Sequence, residues 1–306
     1  MILVGTGNIA FEYAKALKAL GPHWFTSIGN TDHGCARWAE RMDAEKMPCK
    51  MIQVGGVSDS AVLSVSDKHH AIVAIPINAQ YETVKRLLAI GVKRILVEKP
   101  GVLYSIQARG LAYLARAAGA DIRVAYNRRF YASVQAAKDI IERGGLSDMW
   151  FCFGEDMDAV LASAHPKNIK DKWMLANSSH IIDVAKYLCG GWSIVPHQTP
   201  GMYSGTGFTL RDHVPVSYMT DYRKDTRWSI QFVTKAGYRY RLAPVERLEK
   251  LINEKWGIVE ETPAGGIKAG FLDMTRSFLT GAPGLPTIDE QLALIQDIDK
   301  IGGFKE

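Results

Sequence analysis

Met1 to Val4 is a short apolar run that passes directly into Gly5-Thr6-Gly7-Asn8-Ile9-Ala10. Apolar residues then return at helical spacing, with Ala10, Ala14 and Leu17 on one face and Tyr13, Ala16 and Leu20 beside it. Gly21-Pro22 stops the helix. Strand, glycine turn and helix in this order leave few folds open, because the turn exposes the N–H groups of Thr6, Gly7, Asn8 and Ile9 at the head of the helix. Gly5 allows the tight turn and Gly7 a close backbone approach by a pyrophosphate. Ala10, where a third glycine would stand, keeps helix and sheet close. The expectation is a dinucleotide site. A second Gly-x-Gly, Gly205-Thr206-Gly207, lacks this setting and reads as a loop.

Strand and helix signals keep alternating. Trp24 to Ile28 reads as a strand, and it ends in Gly29-Asn30-Thr31-Asp32 with no acid at the position that usually holds the ribose hydroxyls. Asn30 and Thr31, with Arg37 on the next helix, suit a 2′-phosphate, so NADP is the expectation within NAD(P). The alternative is that Asp32 curls back to the ribose and NAD binds. His70 to Ile75 is a strand closed by Pro76-Ile77-Asn78, and its helix carries Tyr81, Val84, Leu87 and Leu88 before Gly91. Arg94 to Val97 leads into Glu98-Lys99-Pro100, Ser105 reads as the cap of another helix, and Ile122 to Ala125 is one more strand. Repeated strand–helix units imply a parallel sheet with ligands beyond the carboxyl ends of its strands. Ile75, Pro76 and Asn78 fall at one such end, and Glu98 and Lys99 at another.

Taken in order, Gly5-Thr6-Gly7-Asn8-Ile9-Ala10, Ile75-Pro76-Ile77-Asn78, Glu98-Lys99-Pro100, Tyr126-Asn127-Arg128-Arg129-Phe130 and His180-Ile181-Ile182-Asp183 resemble the Gfo/Idh/MocA oxidoreductases. The resemblance runs along nearly the whole chain. It implies an α/β protein with an N-terminal Rossmann domain on a parallel sheet. A C-terminal α/β domain with a large, mostly antiparallel sheet would follow. The expected boundaries are 1–122 for the nucleotide domain and 123–285 for the substrate and oligomerisation domain. Residues 286–306 form a helix packing back on the first domain. It also implies hydride transfer between NAD(P) and a sugar, cyclitol or sugar-nucleotide carbon, with Lys99 and His180 catalytic and a turn shaped by Pro100. Relatives with transient redox and no net oxidation, or a dinucleotide-sensing regulator, are the alternatives. One departure stands out: Ala176 occupies the place of the acid that the family commonly carries four residues before the histidine, leaving Asn177 or Ser179 as partial substitutes, or Lys99 to carry the proton chemistry alone.

For the substrate side, Lys99, Asn127, Arg128, Lys172, Trp173, Asn177 and His180 are the candidates, with residues 161–175 read as a loop over the substrate and Arg129 as an ion-pair partner of acids across the domain seam. Glu155-Asp156-Met157-Asp158 reads as a solvated strand end, and no metal-ligand pattern is present. Trp228, Ile230 and Phe232 alternate, as do Tyr238, Tyr240 and Leu242, which predicts a hairpin across Lys235-Ala236-Gly237. A homo-oligomer, dimer or tetramer, through this sheet is the expectation.

Bulk properties narrow the partners. Net charge is +5, but the 37 lysines and arginines are scattered without aromatic interleaving, which argues against nucleic acid and is compatible with a small anionic ligand. No apolar stretch is long enough to span a bilayer. Four well-separated cysteines (Cys35, Cys49, Cys152, Cys189) and an N-terminus without a signal pattern point to the cytoplasm.

Overall fold

The computed structural model describes residues 1–21, 24–58, 69–222 and 228–304. Pro22, half of the helix stop read above, lies outside the described residues. The chain divides into two compact units, 1–126 with 265–293, and 127–264 with 294–306. Residues 265–285, assigned from the sequence to the second domain, therefore group with the first unit.

In the first unit, strands β1 (Ile2–Val4), β2 (Phe25–Ile28), β3 (Cys49–Gln53), β4 (His70–Val73), β5 (Arg94–Glu98) and β6 (Asp121–Ala125) form one parallel sheet in the order β3-β2-β1-β4-β5-β6. The inner strands are buried on both faces: Ile2, Leu3, Ala71, Ile72, Ile95 and Leu96 have no exposed surface. Unbroken apolar strands of this kind are what a sheet covered on both sides needs. The helices are α1 (Asn8–Ala19), α2 (Asp32–Ala44), α3 (Ile77–Ala89) and α4 (Ser105–Ala118). Small residues on α1, Ala10, Ala14 and Ala16, are fully buried and let its axis come close to the strands. Tyr104, not Ser105, is the N-cap of α4, and no side chain bonds that end. Gly119 closes α4 in the left-handed conformation.

The second unit holds an eight-stranded sheet, β14-β13-β12-β11-β7-β10-β9-β8. Its strands are β7 (Leu146–Gly154), β8 (Trp192–Thr199), β9 (Met202–Thr209), β10 (Pro215–Asp221), β11 (Ser229–Thr234), β12 (Arg239–Leu242), β13 (Arg247–Ile252) and β14 (Lys255–Glu261). Neighbours run antiparallel except β7 and β10, which are parallel. The predicted hairpin forms as β11 and β12, with Ile230 opposite Leu242 and Phe232 opposite Tyr240. Phe151 stacks with Trp192 and packs against Tyr218 at ring distances of 5.3 and 5.6 Å, so aromatics fill the buried face.

Gly205 and Gly207 are not in a loop but inside β9, where a side chain on Gly207 would run into the carbonyl of Ser193 on β8. Close strand approach is the reason for these glycines. Helices α5 (Ala132–Gly144), α6 (Met157–Ala162), α7 (Lys167–Asp171) and α8 (Ser179–Cys189) complete the unit, with a 3₁₀ turn at Asn127–Phe130 and a π-helical turn at Met174–Ser178. Residues 161–175 are thus mostly short helices rather than an open loop. Helix α9 (Phe271–Thr280) belongs to the first unit, and α10 (Ile288–Gly302) has residues in both. Among the described residues, no helix is long and apolar enough to cross a membrane.

Candidate functional site

The order of the first sheet reverses between β1 and β4, and every first-unit candidate except Arg37 follows the carboxyl end of a strand. Gly5 to Ile9 follow β1, Asn30 and Thr31 follow β2, Ile75, Pro76 and Asn78 follow β4, and Glu98 and Lys99 end β5. That reversal is where an open parallel sheet leaves a crevice. Gly5 has φ +122° and packs so closely that a Cβ would lie 2.3 Å from the carbonyl oxygen of Ala74, the residue before Ile75. Among the described residues, nothing lies within 4 Å of a Cβ built on Gly7. One glycine is demanded by the turn; the other leaves open space above a helix end that has no side-chain cap. Both features fit a bound pyrophosphate.

Thr31 caps α2, its hydroxyl accepting from the Gly34 N–H at 3.2 Å, and Arg37 is exposed one turn further on. Pro76 precedes α3, while the buried Gln80 amide donates to the Ile75 carbonyl at 3.0 Å and holds the end of β4.

At the end of β5 the Lys99–Pro100 peptide is cis. The Pro100 carbonyl accepts from the buried Gln291 amide of α10 at 2.9 Å, and the Gly101 N–H donates to the Glu98 carbonyl at 2.9 Å. The Tyr13 hydroxyl of α1 donates to Glu98 Oε1 at 2.6 Å. Burial, then the adjacent carboxylate, push the Tyr13 phenol well above its ordinary value, which keeps it the donor. Burial also pushes the Glu98 carboxyl up, against the opposing Tyr13 hydrogen bond and the positive charges of Lys99 and Lys268. Lys99 is half-buried at this end of the strand.

A stability consequence follows from Glu98. Between the ordinary carboxyl value of 4.5 and its raised value, the folded state holds a proton that the unfolded chain has released. Stability must then fall as pH rises through that window and level off above it. Glu98→Gln removes the titration. Wild type is therefore expected to lose stability relative to this variant as pH rises from about 4.5, with a constant difference once the pH exceeds the raised value. Urea unfolding of both proteins across that range tests it; a pH-independent difference would refute it.

In the second unit, several candidates converge on a residue that the sequence reading left in solvent. Glu155 follows β7 and is only 9% exposed. Its carboxylate accepts from Trp173 Nε1 (3.2 Å), from Asn177 Nδ2 (3.0 and 3.1 Å) and from Ser178 Oγ (2.7 Å). Ser178 Oγ also lies 2.7 Å from the Tyr222 hydroxyl. Since β7 and β10 are parallel, with Gly154 opposite Asp221, Glu155 and Tyr222 leave the sheet at the same edge. Asp156 caps α6, accepting from the Ala159 N–H at 3.0 Å. Glu155 is thus an internal anchor, while Asp156 and Asp158 are exposed, as a solvated strand end would have them.

This anchor grips the π-helical turn immediately before His180. The wider turn means that Ala176 and His180 are not one α-turn apart, so spacing alone misjudges which face they share. Ala176 is buried, and Asn177 is bonded to Glu155. His180 is half-buried in the first turn of α8.

Asn127 is buried in the 3₁₀ turn. The Arg128 guanidinium lies over the Trp228 ring, 4.4 Å from its centroid, and the Trp228 indole donates to the Gly154 carbonyl at 3.2 Å. Arg128, Trp173 and Asn177 are thereby gathered near the carboxyl edge of β7. Lys172 is not: it is buried and paired with Asp299 of α10 at 2.8 Å. Arg129 forms an ion pair, but with Asp183 of its own unit rather than across a domain seam.

No protein-family model matches the chain. It is 33% identical over 152 residues to an uncharacterized oxidoreductase of Schizosaccharomyces pombe, a match covering 48% of this chain and 38% of that protein's length. Among solved structures, the super-repressor mutant of Gal80p from Saccharomyces cerevisiae superposes with a TM-score of 0.78 at 15% identity, over 99% of this chain and 95% of that one. Levoglucosan dehydrogenase in complex with NADH and levoglucosan gives 0.77 at 14% identity, over the same shares. The chain has the fold of these solved structures.

Proposed function

We propose that the chain is an NAD(P)-dependent oxidoreductase that moves a hydride to or from a hydroxyl-bearing carbon of a sugar, cyclitol or sugar nucleotide. The observation that carries this is the placement of the Gly5–Gly7 turn and Lys99 on one carboxyl edge of the sheet, the turn after β1 at the reversal of strand order and Lys99 after β5, one strand beyond β4. Levoglucosan dehydrogenase, of the same fold, was crystallised with NADH and its sugar. Gly5 to Ile9 would hold the pyrophosphate, Asn30 and Thr31 the adenosine ribose, and Ile75, Pro76, Asn78 and Glu98 the remainder. The bound nicotinamide supplies a two-electron hydride acceptor.

Lys99 hydrogen-bonds the substrate hydroxyl and, as the neutral amine, takes its proton when the carbon-bound hydride departs. In the reverse direction its ammonium stabilises the alkoxide and returns the proton. His180 is the second proton-handling group. Asn127, Arg128, Trp173 and Asn177 orient the substrate hydroxyls. Asn30 in place of an acid directly after β2 favours NADP, whereas Asp32 turned back to the ribose would favour NAD.

The separated cysteines suit the cytoplasm. Val195, Phe208 and Met219 share one face of β8–β10 by strand register and are 64%, 54% and 48% exposed, which supports association of copies as a dimer or tetramer through that face.

A regulator that binds the nucleotide without turnover is the second reading, favoured by the likeness to a Gal80p super-repressor mutant. Titration of the protein with NADH and NADPH, followed by absorbance screening of sugars and cyclitols, separates the possibilities. Binding with net reduction of the nucleotide is expected. Binding with no turnover of any substrate would favour the regulator, and no binding of either nucleotide would refute both readings.

A further inference from the structure

The acid missing at position 176 has a counterpart at the end of β7. Ala176 is buried, at 4% exposure, and its side chain can bond nothing. Glu155 is buried too, and among the described residues it has no ion-pair partner, so hydrogen bonds alone balance its charge. Trp173 Nε1, Asn177 Nδ2 and Ser178 Oγ all donate to it, the set that an acceptor-only carboxylate takes. The hydroxyls beyond it have a fixed direction. Ser178 gives its one proton to Glu155 Oε1, so Tyr222, 2.7 Å from Ser178 Oγ, must donate to Ser178. Burial pushes the Tyr222 phenol well above its ordinary value, which keeps that proton in place. The Asn177 amide is fixed as well. Its Nδ2 lies on both Glu155 oxygens, which turns Oδ1 away from the carboxylate, and among the described residues that oxygen has no hydrogen-bond partner.

We propose that Glu155 is the positioning residue for His180, anchoring the π-helical turn before it in place of an acid at 176. Its functional weight rests on the reading of His180 as a proton-handling group; the anchor itself does not. Glu155 acts through the turn, since its bonds go to residues 173, 177 and 178. An isolated π-turn is rare. Here two of its five residues, Asn177 and Ser178, and the Trp173 that leads into it are tied to one carboxylate. A turn that swung away would leave a buried carboxylate without donors, which is strongly destabilising. The same tie leaves Asn177 Oδ1 as an acceptor, which suits a ligand hydroxyl and repels a carboxylate or phosphate. The competing role for Glu155 is packing of the strand end, with no bearing on His180.

Carbethoxylation by diethyl pyrocarbonate, followed by mass spectrometry of the peptide bearing His180, reads how firmly that imidazole is held. The full chain is compared as wild type, Glu155→Ala, Glu155→Gln and Tyr222→Phe, with His70, half-buried in the first unit, as internal reference. Glu155→Ala is expected to speed modification of His180 by about tenfold or more and to leave His70 within about twofold, because one charge-assisted hydrogen bond is worth that factor in a local opening. Glu155→Gln turns an amide toward the Asn177 amide and should show a similar rise. Tyr222→Phe leaves Ser178 bonded to Glu155 and should change the rate less. Formate added to Glu155→Ala should slow modification of His180 back toward wild type, while formamide, of similar size but uncharged, should not. If Glu155→Ala does not fold, Glu155→Gln is held to the same selective rise. A His180 rate within about twofold of wild type would overturn the proposal, as would equal rises at His180 and His70. So would rescue by neither additive or by both alike, which is the outcome of packing alone. Fluorescence titration of the same proteins with NADPH keeps the two readings apart. A selective, formate-reversible rise at His180 in a chain that binds no nucleotide would support the anchor and remove the oxidoreductase reading.

Discussion

Lys99→Ala is expected to lower turnover by about 10²–10⁴-fold, the range supplied by a positioned proton donor or acceptor, while nucleotide affinity stays within about twofold. The separation is possible because neighbouring groups hold the frame around Lys99. Gln291 holds the Pro100 carbonyl, the Gly101 N–H closes on the Glu98 carbonyl, and Tyr13 holds the Glu98 carboxyl. Truncation at residue 99 removes an amine and leaves that turn in place.

Lys99→Arg refines the result. An arginine keeps the positive charge but cannot give up its proton near neutral pH. If Lys99 acts only by stabilising the alkoxide, the arginine variant should recover part of the rate in the reducing direction. If it must also take the hydroxyl proton, oxidation stays low. Single-turnover absorbance with the best sugar from the screen measures both directions. Turnover in Lys99→Ala equal to wild type would remove Lys99 from the chemistry.

What the sequence makes legible here is local. Gly5 and Gly7 declare themselves because a tight turn and an open helix end depend on the residues at the turn. The hairpin at Ile230–Leu242 is visible because alternation along each strand is enough to define its buried face. The failures have long-range causes. Glu155 looks solvated beside Asp156 and Asp158, yet its three donors arrive from residues 173–178. The π-turn it grips breaks the helical spacing that linked Ala176 to His180. Lys172 looks like a substrate contact until Asp299, 127 residues away, is brought to it. Gly207 is explained by a carbonyl on another strand. In each of these cases the deciding partner is distant in sequence, and one-dimensional patterns carry no term for it.

The motifs around Arg129 and Asp183 meet through such a partner, and breaking that meeting should produce the largest loss of stability. Arg129 Nε donates to Asp183 Oδ2 at 2.8 Å and Nη2 to Oδ1 at 2.6 Å, with the two residues 8% and 2% exposed. The guanidinium also lies over the Tyr187 ring of α8 at 4.9 Å. Replacing only Arg129 with Met leaves a buried carboxylate without its cation, and replacing only Asp183 with Leu leaves the converse. Each single variant is expected to cost about 3–5 kcal/mol. The double variant, Arg129→Met with Asp183→Leu, should cost much less than the sum, because two desolvated charges leave together. Urea unfolding of the four proteins gives the coupling energy. Additive losses would show that the pair is not the source of the stability. The functional stake is that Asp183 lies one turn after His180 on α8, so the pair ties that helix to the 3₁₀ turn bearing Asn127 and Arg128. Loss of the pair should therefore weaken substrate recognition even in molecules that remain folded.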